Sequence, residues 1–212
     1  MSSLIRFSIF CLIILMTGVP TARAQLIIAF SDDQGGSFSN NFAVATGDGI
    51  TIDIFLQEIG TPTELSTDGI VGFGIELIRT PLSTGEISNV VENPFFDLEN
   101  DNTLTSGGFT LEAFEVANTG LAGTSVPLAS FDFQANVDAT AEFSIVDNIP
   151  GDNVFDSFVT PTLVGLDSQI FSNGDSGAFN FTITSETIPE PSGALLLALI
   201  ATWGTICRRR RK

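Results

Sequence analysis

Histidine and tyrosine are absent from this sequence, and lysine occurs once, at the final position, Lys212. Between Gln25 and Thr187 the only basic residue is Arg79, and the two cysteines, Cys11 and Cys207, both lie outside that stretch. Each absence removes a class of chemistry. Ser-His-Asp, Cys-His and Ser-Lys nucleophilic arrangements lack a required member, and zinc or haem held through His or Cys is excluded. Neutralising a nucleic-acid backbone takes several Lys or Arg side chains, so nucleic acid is not a partner. No disulfide can cross-link the central region, whose stability has to come from packing. Carboxylates are abundant, with 25 Asp and Glu in the chain. Paired carboxylates hydrolyse glycosides, but at this density some pair reaches a suitable separation by accident, and the chain reads as non-enzymatic.

Five of the eight basic residues stand in the last five positions, Arg208, Arg209, Arg210, Arg211 and Lys212. Before them runs an apolar segment, Gly193 to Cys207, preceded by Ile188, Pro189, Glu190, Pro191 and Ser192. A basic cluster directly after an apolar segment acts as a membrane stop signal: it stays cytoplasmic and leaves everything before it outside. As a helix the segment reaches roughly 22 Å, against a hydrocarbon core of roughly 30 Å. It is short for a permanent span. The flanking prolines keep Glu190 extended or in a turn, open to recognition. The alternative is a simple single-span anchor with a proline-rich neck.

This ordered tail resembles the PEP-CTERM sorting signal of exported bacterial proteins, over about Pro189 to Lys212, with Pro189, Glu190 and Pro191 as the sorting motif. The resemblance implies that the chain is a substrate of an exosortase, a membrane-embedded transpeptidase-like enzyme. That enzyme would cleave near the motif and pass the remainder to the cell surface or an exopolysaccharide matrix.

The other end carries a secretory pattern. Arg6 supplies a short positive region, Phe7 to Met16 an apolar stretch, and Ala22-Arg23-Ala24 a small-residue cleavage site before Gln25. Residues 1–24 are therefore expected to be a signal peptide, 25–187 a single ectodomain, and 188–212 the sorting tail. An uncleaved N-terminal anchor is the competing view.

Within 25–187, short apolar runs of period two are punctuated by Gly, Pro, Asn, Asp and Ser, which predicts an all-β domain. The expected strands are Leu26–Phe30, Ile50–Gln57, Gly69–Ile78, Glu86–Val91, Phe109–Val116, Leu128–Ala135, Ala141–Val146, Phe158–Val164 and Ala178–Thr184. About nine strands joined by turn-rich loops suggest a two-sheet, jelly-roll-like sandwich with inward Phe, Ile and Leu, flanked by a signal-peptide helix and a C-terminal transmembrane helix. Gly72 and Gly74 mark either a bulge or a close backbone approach. Three stretches, Gly47–Ile54, Gly69–Leu77 and Val126–Phe133, resemble the cohesin-like, carbohydrate-binding-type sandwich. In order they look like that family's second strand, its paired central strand and a late Leu/Phe strand. The resemblance implies a nine-strand jelly roll with a scaffold or adhesion role.

Asp97, Glu99 and Asp101 place oxygen ligands at alternate positions, as a loop around a hard cation would. Ser31–Gly36 and Asp147–Asn153 are further acidic loops. Solvated turn chemistry accounts for all three without a cofactor; the alternative is that at least one binds Ca²⁺. The expected partners are the exosortase and secretion machinery, the membrane through the C-terminal helix, and exopolysaccharide. The expected role is that of an exported, structural or adhesive surface protein; the alternative is a carbohydrate- or protein-binding module of cohesin-like type. With neither Tyr nor Trp in the ectodomain, the usual aromatic platform for sugars is missing.

Overall fold

The computed structural model describes residues 25–60, 65–147, 158–170 and 179–187. The signal peptide, with Ala22 and Ala24, and the sorting tail, with Pro189, Glu190, Pro191 and Arg208 to Lys212, lie outside the described residues. Among the described residues no helix is long and apolar enough to cross a membrane.

Period-two patterning builds ten strands there: β1 (Gln25–Ser31), β2 (Asn41–Ala45), β3 (Gly49–Ile59), β4 (Gly72–Thr80), β5 (Gly85–Glu92), β6 (Leu98–Thr105), β7 (Gly108–Phe114), β8 (Ser125–Ala135), β9 (Thr140–Asp147) and β10 (Phe179–Glu186). A single helical turn, α1, spans Asp167–Ile170. The smaller sheet has the order β1-β3-β8-β5 and the larger β2-β10-β9-β4-β7-β6. β2 pairs parallel with β10, and every other pairing is antiparallel.

Alternation decides which side chains meet between the sheets. Ile52, Ile54 and Leu56 of β3 are fully buried, as are Leu128, Phe131 and Phe133 of β8. The larger sheet answers with Phe73, Ile75, Phe109, Leu111, Phe143, Ile145, Phe181 and Ile183. Phe143 and Phe181, neighbours on β9 and β10, stack with centroids 4.7 Å apart and planes 7° apart. Phe30 of β1 reaches across to Phe181 at 4.3 Å, and Phe133 of β8 meets Phe143 edge-on at 5.3 Å. Each such burial is worth about 1.5–3 kcal/mol, with about 0.5–1.5 kcal/mol more for a well-placed aromatic pair. A phenylalanine column therefore joins the two sheets in a domain that has no disulfide.

Of the two alternatives for Gly72, close approach is the one observed: a Cβ there would lie 2.2 Å from the Phe114 ring, and β4 keeps unbroken register with both neighbours. Gly108 opens β7 at φ +159°, where a Cβ would lie 1.7 Å from the Leu77 carbonyl oxygen.

Three expectations are corrected. Phe158–Val164 is not a strand: Val159 makes isolated bridges to Gly72 and Gly165, and the Thr160 amide turns back to the Val164 carbonyl at 3.0 Å. Pro161 inside it lacks the amide that a ladder requires. β2 and β6 are strands where none is expected, so the described residues hold ten strands rather than about nine. β6 also changes the setting of Asp97, Glu99 and Asp101: the stretch is an edge strand of the larger sheet, begun just after Asp97, rather than a loop.

Candidate functional site

Arg79, the one cation of the region, is spent inside. It sits near the end of β4 at 3% exposure. Its guanidinium donates to the carbonyls of Gly85, of Leu82 at 3.1 Å and of Ser106 at 2.6 Å, and lies 5.8 Å from the Phe133 ring centroid. Burial pushes the guanidinium below its ordinary pKa while Glu86 opposes the shift; Arg remains a cation at any physiological pH. The surface of the described domain is left with carboxylates and no side-chain counter-charge.

The solvent face of the larger sheet is a register of short polar side chains that satisfy one another. The Thr182 hydroxyl donates to Asn41 Oδ1 at 3.0 Å, that of Ser144 to Asn180 Oδ1 at 2.6 Å, and the Thr140 and Thr184 hydroxyls are 3.2 Å apart. At its β6 edge Asp101 accepts from the hydroxyls of Thr103 at 2.6 Å and Thr110 at 2.9 Å, and Asp97 accepts from the Val116 amide at 2.8 Å. Glu99 lies in the same strand, where the β6–β7 register shifts between Glu99 and Asp101. No group of three or more His, Cys, Asp or Glu among the described residues is arranged to hold a metal ion. Gln25 begins β1 and pairs with Ile59.

The outer face of the smaller sheet differs. Phe55 of β3 points outward, yet is 8% exposed, because the loop after β1 folds over it. Phe38 packs edge-on against it at 5.3 Å, and a Cβ on Gly35 would stand 3.0 Å from its ring. Asp33 holds that loop. Its carboxylate accepts from the Ser31 hydroxyl at 2.6 Å, the Ser37 amide at 2.9 Å and the Ser37 hydroxyl at 2.8 Å. These donors, Ser31 first, bring its pKa from 3.8 down to about 2. Beside the loop Asp53 accepts from the Gln34 amide at 3.2 Å. Burial, opposed by that amide and reinforced by Asp33 and Asp32, raises the Asp53 pKa.

Next to Asp53 the face is recessed. Register with β8 slips on both sides, at Leu128 between Ile54 and Phe55 of β3, and at Phe131 between Ser88 and Val91 of β5. Bulges bend and twist a sheet locally, and here they open a depression of about 250 Å³ lined by Asp53, Val91, Glu92, Pro94, Pro127 and Ser130, with Asn93 and Ala129. The chain after β5 is fixed as its wall. The Asn93 side-chain amide donates to the Pro127 carbonyl at 2.9 Å, Asn93 Oδ1 accepts from the Phe95 amide at 2.9 Å, and Phe96 is driven into the core against Phe73 at 4.9 Å. Farther along, Asp132 ties three strands, accepting from Thr51 at 2.7 Å and Asn89 at 2.6 Å. Sequence inspection passed over this recess because it arises from two register slips, Pro127 of β8 and Pro94 in the chain after β5, none notable alone.

No family model matches the chain, and no curated protein matches it in sequence. Its fold is nevertheless that of the cohesin modules. The sixth cohesin of scaffoldin B from Acetivibrio cellulolyticus is similar to it with a TM-score of 0.51 at 13% identity, over 77% of this chain and 99% of that module. The cohesin module of a family 33 glycoside hydrolase from Clostridium perfringens gives 0.50 at 4% identity, over 78% and 100% respectively. The second type II cohesin of the ScaA scaffoldin of Acetivibrio cellulolyticus gives 0.50 at 8% identity, over 81% and 96%. At these identities the likeness is one of fold: a cohesin-like β-sandwich.

Proposed function

We propose that this chain is an exported, surface-displayed, non-catalytic module that recognises a protein partner through its cohesin-like sandwich. The observation that carries it is the fold, which matches nearly the whole length of a cohesin solved in complex with the Cel5 dockerin. The composition points the same way. The ectodomain offers no His, Cys, Lys or Tyr for nucleophilic or acid-base work, and its outer faces present hydroxyls, amides and carboxylates without an aromatic platform for sugar rings. Delivery follows from the termini: Ala22 and Ala24 mark signal cleavage before Gln25, and Pro189-Glu190-Pro191 with Arg208 to Lys212 direct exosortase-type sorting to the cell surface or matrix.

Cross-linking on the native cell tests recognition. A discrete, stoichiometric protein adduct is the expected result. Saturable retention on exopolysaccharide without such an adduct would move the module to the carbohydrate-binding class. Mass spectrometry of the surface-exposed species tests delivery, with termini expected at Gln25 and near Pro191; a surface population that retains Lys212 would overturn sorting.

A further inference from the structure

We infer that the recess on the smaller sheet is a receptor for one Lys or Arg side chain of the partner, an inference that rests on the protein-binding reading above. Size argues first. At about 250 Å³ the depression falls below the roughly 300 Å³ at which pockets for whole small molecules begin. It suits a single side chain.

Its chemistry selects the charge of that side chain. Pro94 and Pro127 have no amide hydrogens to offer, and the Asn93 side-chain amide is already committed to the Pro127 carbonyl. The Ser130 hydroxyl is the one side-chain donor left in the lining, and with two carboxylates beside it the recess is unsuited to an anion. Asp53 and Glu92 supply the charge. The Glu92 carboxylate accepts no hydrogen bond from the described residues, and the only cation between Gln25 and Thr187, Arg79, is buried among carbonyls. The carboxylates therefore lack an internal counter-ion.

A bare divalent ion would fit poorly. Ca²⁺ takes about 6 to 8 oxygen ligands, whereas much of this lining is Val91, Pro94, Pro127 and Ala129. Those apolar walls match the methylene stem of Lys or Arg, whose charged head then meets the rim. Val91 stands 51% exposed on the open sheet, an apolar surface waiting for such a stem.

The test uses the full-length protein in detergent micelles with ¹³C-labelled Val and Ala methyl groups. It is titrated with acetylated, amidated pentapeptides in which Gly residues flank a central Lys, Arg, norleucine or Glu. Saturable shifts at Val91 and Ala129 are expected for Lys or Arg in the millimolar range, and the two arms show which head group is preferred. Binding should weaken about tenfold for norleucine, for the Asp53→Asn/Glu92→Gln variant, and on raising salt from about 50 to about 500 mM. Val91→Trp, which fills the recess and keeps both carboxylates, should abolish the Ala129 shift, and unchanged resonances of the buried Ala113 and Ala141 on the larger sheet certify folding. Equal binding of norleucine, shifts that survive the double substitution, or no Lys or Arg response at Val91 would overturn the proposal. If cross-linking still yields a protein adduct anchored elsewhere, protein recognition stands and only this assignment fails.

Discussion

The two outer faces of the sandwich are made from similar residues and end up with opposite properties. On the larger sheet the strands β10, β9 and β4 keep register throughout, so Thr, Ser and Asn fall opposite one another and use up their own hydrogen bonds. On the smaller sheet β8 loses register with both neighbours within one short stretch, Pro127 to Asp132, and the outcome is concave, proline-walled and short of donors. Regular pairing produces a flat surface with little left to offer a partner. Interrupted pairing produces a socket.

The most disruptive way to break this contrast is to remove what both faces rest on. Phe143→Ala deletes the ring that meets Phe181, Phe133 and Phe131. It should cost about 4 kcal/mol and lower the melting temperature of the full-length protein by roughly 8 to 16 °C. Arg79→Met comes next. It leaves the carbonyls of Gly85, Leu82 and Ser106 without their shared donor, and the expected loss is about 3 kcal/mol by denaturant melting. A loss below about 1 kcal/mol would mean that water replaces the guanidinium at little cost.

Smaller changes sharpen the contrast between the faces. Asn93→Ala removes the link to Pro127 and should cost about 1 kcal/mol while weakening lysine-peptide binding at the recess. Thr182→Val on the flat face should leave that binding unchanged, and equal effects of the two would erase the distinction. The subtlest handle is pH. Since the Asp33 pKa is lowered from 3.8 to about 2, its hold on the loop is complete above the ordinary carboxylate range and fails as pH falls through about 2. Amide exchange at Gly35 and Ser37 should accelerate across that window. Asp53 works in the other sense: with its pKa raised, its ionisation opposes folding as pH rises through the carboxylate range. Asp33→Asn should abolish the low-pH step.

Much of the fold was legible because alternation is a local signal. Ile52, Ile54 and Leu56, or Phe131 and Phe133, declare their face by spacing alone. What escaped was set by tertiary context. Leu98–Thr105 is rich in Asp and Asn, which read as turn residues; as an edge strand beside β7 it tolerates them, and Asp101 with the register shift beside it protects the open edge from further pairing. Asn41–Ala45 is too short to announce itself, and its parallel partner β10 lies far along the chain. Phe158–Val164 failed for the opposite reason: Phe158 is fully buried without a ladder, while Leu163 and Val164 stand exposed. The recess was illegible altogether, since no single segment contains it.

The parallel pairing of β2 with β10 has a mechanical consequence. Glu186 finishes beside Thr46, whose amide donates to its carbonyl at 3.2 Å, at the end of the sandwich where β3 starts. Gln25 lies opposite Ile59, where β3 finishes. With about 3.3 Å per strand residue, the domain's points of entry and exit stand roughly 30 Å apart, at opposite poles. Tension between a tethered tail and a captured load would run along the strands. With the load held among β3, β8 and β5 and none attached at Gln25, the β1–β3 ladder, seven residue pairs, would stay outside that path.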